Sequence, residues 1–237
     1  MFSWIRVLFT RFLAWFATTR AWAKFARHWM GYFTFRVFGY TKFPLEKYFD
    51  ILKKFDESPD GIYAFVSGDQ SSLSYKFNHL LTDCQWSHAG IIKKEDGHHL
   101  RAWHMKGNGL NHWHLLEILR ACDRFALLRM PIEGENIAIA NSRLDAIVTA
   151  PLVPYDFSFQ MPQEIIDWLT KGMPLSVEDK GKLQALKLYC SEMDYVIGAG
   201  LVEPGHVFAT HWDLGSEVFE PDDIYTSCDV VYEYRAA

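Results

Sequence analysis

Two residues, Cys190 and His88, stand in local sequences that suit nucleophilic chemistry. Cys190 lies in Leu188-Tyr189-Cys190-Ser191-Glu192-Met193, and His88 opens a run of small and branched residues, Ala89-Gly90-Ile91-Ile92. A thiol attacks a carbonyl carbon as the thiolate, and an imidazole can take its proton and later pass that proton to the leaving group. Cys190 is therefore a candidate nucleophile and His88 a candidate general base. A core cysteine and a structural histidine would produce the same local patterns.

The elements that must position these residues are predicted from apolar periodicity and from turn residues. Ser87–Lys93 and His98–Met105 are predicted as strands joined by a turn at Glu95-Asp96-Gly97, so His88 opens a hairpin. Separate runs of helices and short antiparallel strands indicate an α+β fold. Cys190 falls within a helical pattern at 182–199, and a helix start near Cys190 would lower the pKa of its thiol. Further strands are predicted at 62–66, 125–131 and 230–234, and further helices at 45–55, 135–150 and 164–171.

Residues 1–40 differ in composition from the rest of the chain. They contain no proline, four of the nine tryptophans and eight of the eighteen phenylalanines. Residues 1–42 carry seven of the 24 lysines and arginines and no acid, which leaves 17 basic against 29 acidic side chains elsewhere, a charge of −12. Arg20, Lys24 and Arg27 share one face of a predicted helix. The segment is therefore predicted to be an amphipathic helical extension with a basic face.

A basic helix rich in tryptophan and phenylalanine is typical of segments that lie in the membrane interface. A partner protein and the chain's own core are the alternatives for residues 1–40. No apolar run is long enough to span a bilayer, and no clear signal peptide is present. The chain is accordingly divided into an extension, 1–55, and a domain, 56–237. The predicted location is a membrane or cell envelope, with a phage or secreted assembly as one setting.

Metal, cofactor and nucleic-acid sites have weaker sequence support. Seven of the ten histidines fall between residues 79 and 114, and His112-x-His114 could present two ligands, but no carboxylate or cysteine completes a typical set. No glycine-rich phosphate loop occurs, and the basic region is aromatic rather than rich in lysine. We therefore expect no metal, no cofactor and no nucleic acid. The four cysteines form no CxxC pair and are predicted to be reduced thiols: Cys84, Cys122, Cys190 and Cys228.

Six short motifs follow one another in an order that resembles a known family. The chain is similar to the permuted NlpC-type family of papain-like proteins, in its YiiX/YebB-like branch, over residues 60–235. In this permuted order the histidine precedes the cysteine, as His88 precedes Cys190. The matching motifs are Asp60-Gly61-Ile62-Tyr63, Trp86-Ser87-His88-Ala89-Gly90-Ile91, Ala102–Leu110, Tyr155-Asp156-Phe157-Ser158-Phe159, Tyr189-Cys190-Ser191-Glu192, and Glu220-Pro221-Asp222-Asp223 before Val230-Val231-Tyr232.

The resemblance implies a cysteine helix packed against a small antiparallel sheet that bears the histidine. It assigns Cys190 as nucleophile and His88 as base, and it places a polar orienting residue on the next strand. If Leu100 and Ala102 face the core, His104 shares their face and is our choice for this residue, with His99 second. Relatives often show an acid there, and this chain does not. Tyr189 or Tyr155 could donate a hydrogen bond near the oxyanion beside the Cys190 N–H, with packing as the alternative for both.

The expected function is that of a cysteine peptidase or amidase acting on a cell-envelope peptide through an acyl-enzyme at Cys190. The first alternative is a lipid acyl hydrolase or acyltransferase, because relatives such as lecithin retinol acyltransferase share the permuted site. The second is a catalytically silent structural or interaction protein, for example a virion component, that retains the fold. A peptide or acyl substrate is thus the expected ligand, and residues 1–40 are expected to meet a membrane surface or a partner protein.

Overall fold

The structure is a computed structural model in which one antiparallel sheet carries the fold. It describes residues 45–70, 79, 84–95, 99–106, 108–151, 153–154, 163–169, 171–186, 188, 190–203, 206, 208 and 220–235. Six strands pair in the order β4-β3-β2-β1-β5-β6, with every neighbouring pair antiparallel. The predicted α+β class is confirmed. The strands are β1 Tyr63–Gly68, β2 His88–Glu95, β3 His99–Lys106, β4 Gly109–His114, β5 Arg124–Arg129 and β6 Asp229–Arg235.

Seven helices in the described ranges pack around this sheet and cover both of its faces. They are α1 Leu45–Glu57, α2 Leu115–Arg120, α3 Asn136–Val148, α4 Gln163–Leu169, α5 Val177–Gln184, α6 Cys190–Gly198 and α7 Pro221–Ser227. Side chains alternate along the strands, as the period of two requires. Ala64 and Val66 of β1 pack in a core with α3 and α6, whereas Tyr63 and Phe65 pack in a second core with α1 and α2. We call these sides the α6 face and the α1 face.

Helix α6 is buried along its whole length, which is unusual for a helix that contains charged residue types. It packs against β2, β3 and α3. Arg143 of α3 stabilises the end of α6: its guanidinium is buried and donates to the carbonyl oxygens of Val196 at 3.1 Å and Ala199 at 2.7 Å. It also donates to Leu169 O at 3.0 Å, so one side chain joins α3, α4 and α6. A cation at the C-terminal carbonyls also suits the helix dipole.

The predicted helix over 182–199 is wrong as a single element. The chain forms α5, which ends at Gln184, and α6, which begins at Cys190. The break has a tertiary cause, because the Leu188 N–H donates to Pro154 O at 3.1 Å instead of continuing a helix. Two other elements were not predicted, β4 and α7. Strand β4 pairs with β3 through a hairpin in which Gly109 has φ 106°, a conformation that favours glycine.

Helix α1 belongs to the same packed unit as the sheet, although the division by sequence placed residues 1–55 in a separate extension. Ile51 is fully buried and Tyr48 nearly so, and both lie in the α1-face core with Phe65 and Leu100. The predicted amphipathic extension, 1–40, lies outside the described residues. In the described ranges no helix combines the length and hydropathy needed to cross a bilayer.

Candidate active site

Cys190 is the first residue of α6, at the end of the helix that faces the start of β2. The residue is 9% exposed and packs with Ala89 in the α6-face core. The main-chain N–H groups of Ala89 and Ser191 and the Ser191 hydroxyl lie where they lower the pKa of its thiol. The Ser191 N–H is one of the donors that the first turn of a helix leaves without an intrahelical partner. The sulfur therefore sits where backbone donors can stabilise negative charge.

His88 and His104 form a hydrogen-bonded pair of imidazoles. His88 Nε2 lies 2.6 Å from His104 Nδ1, and the two ring centroids are 4.9 Å apart. Both rings contact Phe65 edge to face, and His104, which is fully buried, meets the Trp113 ring at 5.1 Å and 73°. The structure thus places His104, the predicted orienting residue, against His88. The pair lies on the α1 face, among residues that follow the alternation of Phe65 and Ala102.

Gly90 allows the two histidines to approach each other. A Cβ at this position would lie 2.5 Å from Trp103 O, 2.8 Å from His104 Cβ and 2.9 Å from Phe65 Cε1. These distances are shorter than any van der Waals contact between carbon and these atoms. Only glycine therefore lets β3 and Phe65 pack this closely against β2 at position 90, two residues after His88.

Both imidazoles are neutral in the fold. Burial, and then the positive charge of Lys106, lower the pKa of His88 to about 3. Burial, His88 and Lys106 hold the pKa of His104 well below its ordinary value. The Lys106 ammonium lies 3.4 Å over the Trp113 ring, and burial lowers its own pKa to about 8 although Glu117 opposes the shift. Lys106 was missed by sequence reasoning, because a lysine at a strand end usually points to solvent.

A hydrogen bond between two neutral imidazoles requires one donor and one acceptor. If His88 Nε2 carries the proton and donates, His88 Nδ1 is left with a lone pair and can act as a base. His104 then accepts at Nδ1 and carries its own proton on Nε2, a buried atom without a hydrogen-bond partner in the described residues. The edge-to-face Trp113 ring can receive such an N–H on its π face. This tautomer is the one that general-base chemistry at His88 requires.

The Cys190 thiol and the His88 imidazole lie on opposite faces of the sheet at the start of β2. Among the described residues, His88 forms its ring hydrogen bond with His104, and no hydrogen bond joins the imidazole to the Cys190 sulfur. His104 is hydrogen-bonded to His88 Nε2, the ring nitrogen far from the main chain. This bond does not involve His88 Nδ1, the ring nitrogen nearer the main chain. Cys190 packs with Ala89, the residue after His88, in the α6-face core, whereas the His88 imidazole contacts Phe65 on the α1 face. The structure therefore does not bring the imidazole and the sulfur together.

Burial decides the protonation of Cys190 in this conformation. It raises the pKa of the thiol to about 11, against the lowering effect of the Ala89 and Ser191 hydrogen bonds. The sequence had suggested a thiolate activated by a helix start and an imidazole. The helix does begin at Cys190, but burial favours the neutral thiol in the described state.

One further buried ionisable group, in α6 itself, was not predicted from the sequence. Asp194, one turn after Cys190, is fully buried, and neither carboxyl oxygen has a hydrogen-bond partner among the described residues. Burial raises the pKa of this carboxyl well above its ordinary value, which favours the neutral acid. None of the four cysteines, all of which the structure describes, forms a disulfide.

The remaining predicted residues either lie outside the described residues or are engaged away from this cluster. Tyr155 and Tyr189 lie outside the described residues, as does the side chain of His99. His112 stacks on Trp103 at 3.9 Å, whereas His114 caps α2 by accepting from Leu116 N–H, so the two are engaged separately. Nowhere among the described side chains do three or more His, Cys, Asp or Glu residues meet as a metal site would require.

Comparisons with known proteins identify no relative of this chain: no family model matches it, and neither does any curated protein. The geometry of Cys190, His88 and His104 is therefore the basis for a functional proposal.

Proposed function

We propose that this chain is a cysteine hydrolase of papain-like architecture in the permuted NlpC-type order, with Cys190 as nucleophile, His88 as base and His104 as the orienting residue. One observation carries the proposal. Cys190 at the start of α6 packs with Ala89, and the residue before Ala89 is a histidine whose far ring nitrogen is hydrogen-bonded to a second histidine. A nucleophile, a base and an orienting group in sequence is the arrangement by which such sites are recognised.

The proposed reaction begins with a neutral thiol, so proton transfer accompanies attack. In the proposed step the His88 imidazole must reach the thiol from the α1 face; the sulfur of Cys190 then bonds to the carbonyl carbon while its proton passes to Nδ1 of His88, and the carbonyl electrons move to oxygen. Backbone N–H groups at the start of α6 can bind that oxyanion. The C–N bond then breaks, and the imidazolium returns its proton to the departing amine. Water attacks the resulting thioester with His88 again as base, which releases the acid and restores the thiol.

His104 supports this cycle by accepting a hydrogen bond from the Nε2–H of His88, which orients the His88 ring. The burial of His104 keeps that partner neutral and fixed, while Lys106 disfavours a second positive charge. An acid at this position would stabilise an imidazolium, so its absence fits a site in which the imidazolium forms only during attack. The preferred substrate class is an amide in a cell-envelope peptide.

A lipid acyl substrate is the second candidate, and the composition of residues 1–40 favours it. A basic segment rich in tryptophan and phenylalanine would hold the chain on an anionic membrane, where acyl esters are concentrated. Binding of the full chain to anionic vesicles at low salt tests this location. Reversal of charge at Arg20, Lys24 and Arg27 should weaken that binding, and the same reversal at exposed Lys53, Lys54 and Lys171 provides the control.

The decisive experiment compares the full chain with Cys190→Ala and Cys122→Ala. Cys122 is a buried thiol in the α1-face core that donates to Leu119 O, so its replacement makes the same chemical change away from Cys190. Purified stem peptides and phospholipid vesicles are offered separately, and products and trapped acyl adducts are identified by mass spectrometry. We expect turnover to fall at least about a thousandfold in Cys190→Ala and less than about twofold in the control.

The mass of the adduct on Cys190 distinguishes a peptidyl from a fatty-acyl intermediate. Equal turnover in the wild type and in Cys190→Ala would exclude the proposed nucleophile. Absence of both turnover and adduct with either substrate would favour a silent structural or interaction protein, such as a component of a virion.

A further inference from the structure

The carboxylate of Asp222 binds the main chain just before His88. Its oxygens accept from the N–H of Gln85 at 2.9 and 2.8 Å and from the N–H of Trp86 at 2.9 Å. The Cys84 sulfur lies 3.0 Å from the same carboxylate and 2.7 Å from Trp86 O, and its one proton can be donated to either acceptor. Asp222 lies in the first turn of α7, 137 residues further along the chain than Gln85. One side chain therefore satisfies two consecutive backbone donors in a segment that belongs to no helix or strand.

The other contacts of residues 84–87 hold the segment in the same position. Arg124 Nη1 donates to Gln85 O at 3.0 Å, and the Ser87 N–H donates to Ser67 O at 3.1 Å. The Trp86 side chain is 1% exposed and packs on Tyr225 of α7 at 5.0 Å. Segment 84–87 is thus fixed on β1, β5 and α7 before the chain enters β2.

We propose that Asp222 is a positioning residue for His88, a role that rests on the proposed function of the Cys190 and His88 site. Residues 85 and 86 have no strand partner that could fix their N–H groups, so the carboxylate determines the path by which the chain reaches His88. His88 is only two residues beyond Trp86 and is the first residue of β2. A shift of segment 84–87 moves the imidazole relative to both His104 and the Cys190 sulfur.

A carboxylate suits this role better than an amide. The N–H groups of Gln85 and Trp86 use both side-chain oxygens as acceptors, which a carboxylate supplies and an asparagine cannot. An asparagine would offer one oxygen and turn an NH₂ group toward a donor. Because a displacement of about 1 Å at a reacting group can cost about a hundredfold in rate, loss of this anchor should lower kcat more than it raises KM.

The experiment compares Asp222→Asn with Asp223→Asn in the full chain. Asp223 is the matched control, because it loses the same charge in the same helix but accepts from the Glu220 N–H instead. Asp222→Glu is the conservative variant that keeps a carboxylate. The first readout is the set of ring ¹⁵N shifts of His88 and His104, which report the hydrogen bond and need no substrate. The second is kcat and KM on whichever substrate the wild type cleaves.

We expect the ring ¹⁵N shifts of the histidine pair to change in Asp222→Asn and to stay as in the wild type in Asp223→Asn. We expect kcat to fall about 10- to 100-fold in Asp222→Asn with KM changed less than about twofold, and Asp222→Glu to recover part of the loss. Unchanged ring shifts in Asp222→Asn, or equal changes in the Asp223 control, would overturn the role. If the wild type cleaves nothing, the hydrolase proposal fails, and the ring shifts alone still decide whether Asp222 positions His88.

Discussion

Replacement of Gly90 by alanine tests the close approach that brings the two histidines together. The new Cβ would overlap three atoms at 2.5–2.9 Å, namely Trp103 O, His104 Cβ and Phe65 Cε1. One is main chain of the neighbouring strand and the other two belong to fully buried side chains, so relief requires β2 and β3 to separate. Overpacking a buried site costs about 1–3 kcal/mol, and three simultaneous overlaps place Gly90→Ala at about 3 kcal/mol.

For a chain of this length, about 3 kcal/mol corresponds to a fall in Tm of about 6–12 °C. Circular dichroism during heating measures the shift, and the ring ¹⁵N shifts of His88 and His104 should move in the same variant. Gly181→Ala is the control, because its Cβ would meet no atom within 4 Å on α5. In a helix that change should stabilise the fold by up to about 1 kcal/mol. A Gly90→Ala chain that melts within about 1 °C of the wild type would refute the steric argument.

Three further predictions concern buried ionisable side chains. Arg143→Met should lower the free energy of unfolding by about 3–5 kcal/mol in denaturant titrations, because carbonyl oxygens of α4 and α6 lose a charged donor; a cost under about 1 kcal/mol would contradict this. The wild type should lose stability as the pH falls below 6.5, since the unfolded chain then protonates His88 and His104 while the fold keeps them neutral. His104→Gln should lose about 1.4 kcal/mol less per pH unit below that value, and parallel stability curves would count against the neutral pair. Alkylation of Cys190 by iodoacetamide should quicken about tenfold per pH unit between about pH 7 and 9, because burial raises the pKa of its thiol to about 11; a rate already constant at neutral pH would mean a preformed thiolate.

Local periodicity and the family resemblance together predicted the contact between the two histidines. The small and branched residues predicted a strand at His88, the resemblance pointed to the next strand for an orienting residue, and the period of two along that strand selected His104. Both strands are predicted from neighbouring residues, and the hairpin of β2 and β3 joins them directly. The pair at 2.6 Å follows from that short connection.

The cysteine side depended on contacts that no local pattern contains. The start of α6 is decided by the bond from Leu188 N–H to Pro154 O, between segments distant in sequence, whereas helical periodicity continued through that point. The raised pKa of Cys190 comes from tertiary burial, which outweighs the helix start that the sequence suggested. Helix α7 was not predicted, because a proline and two acids before a short polar run suit a loop equally well.

The bonds from Asp222 to residues 85 and 86 also bear on the order in which the molecule can be assembled. During synthesis the strands β1 to β5 are available for pairing well before residue 222 has been made. Closing a loop of 137 residues is entropically expensive and slow compared with forming the β2–β3 hairpin. A nascent chain could therefore hold a nearly complete sheet while the start of β2 still lacks its anchor. Under the proposed function, completion of the Cys190 and His88 site would then wait for α7, which would separate the time at which the protein becomes compact from the time at which it becomes reactive.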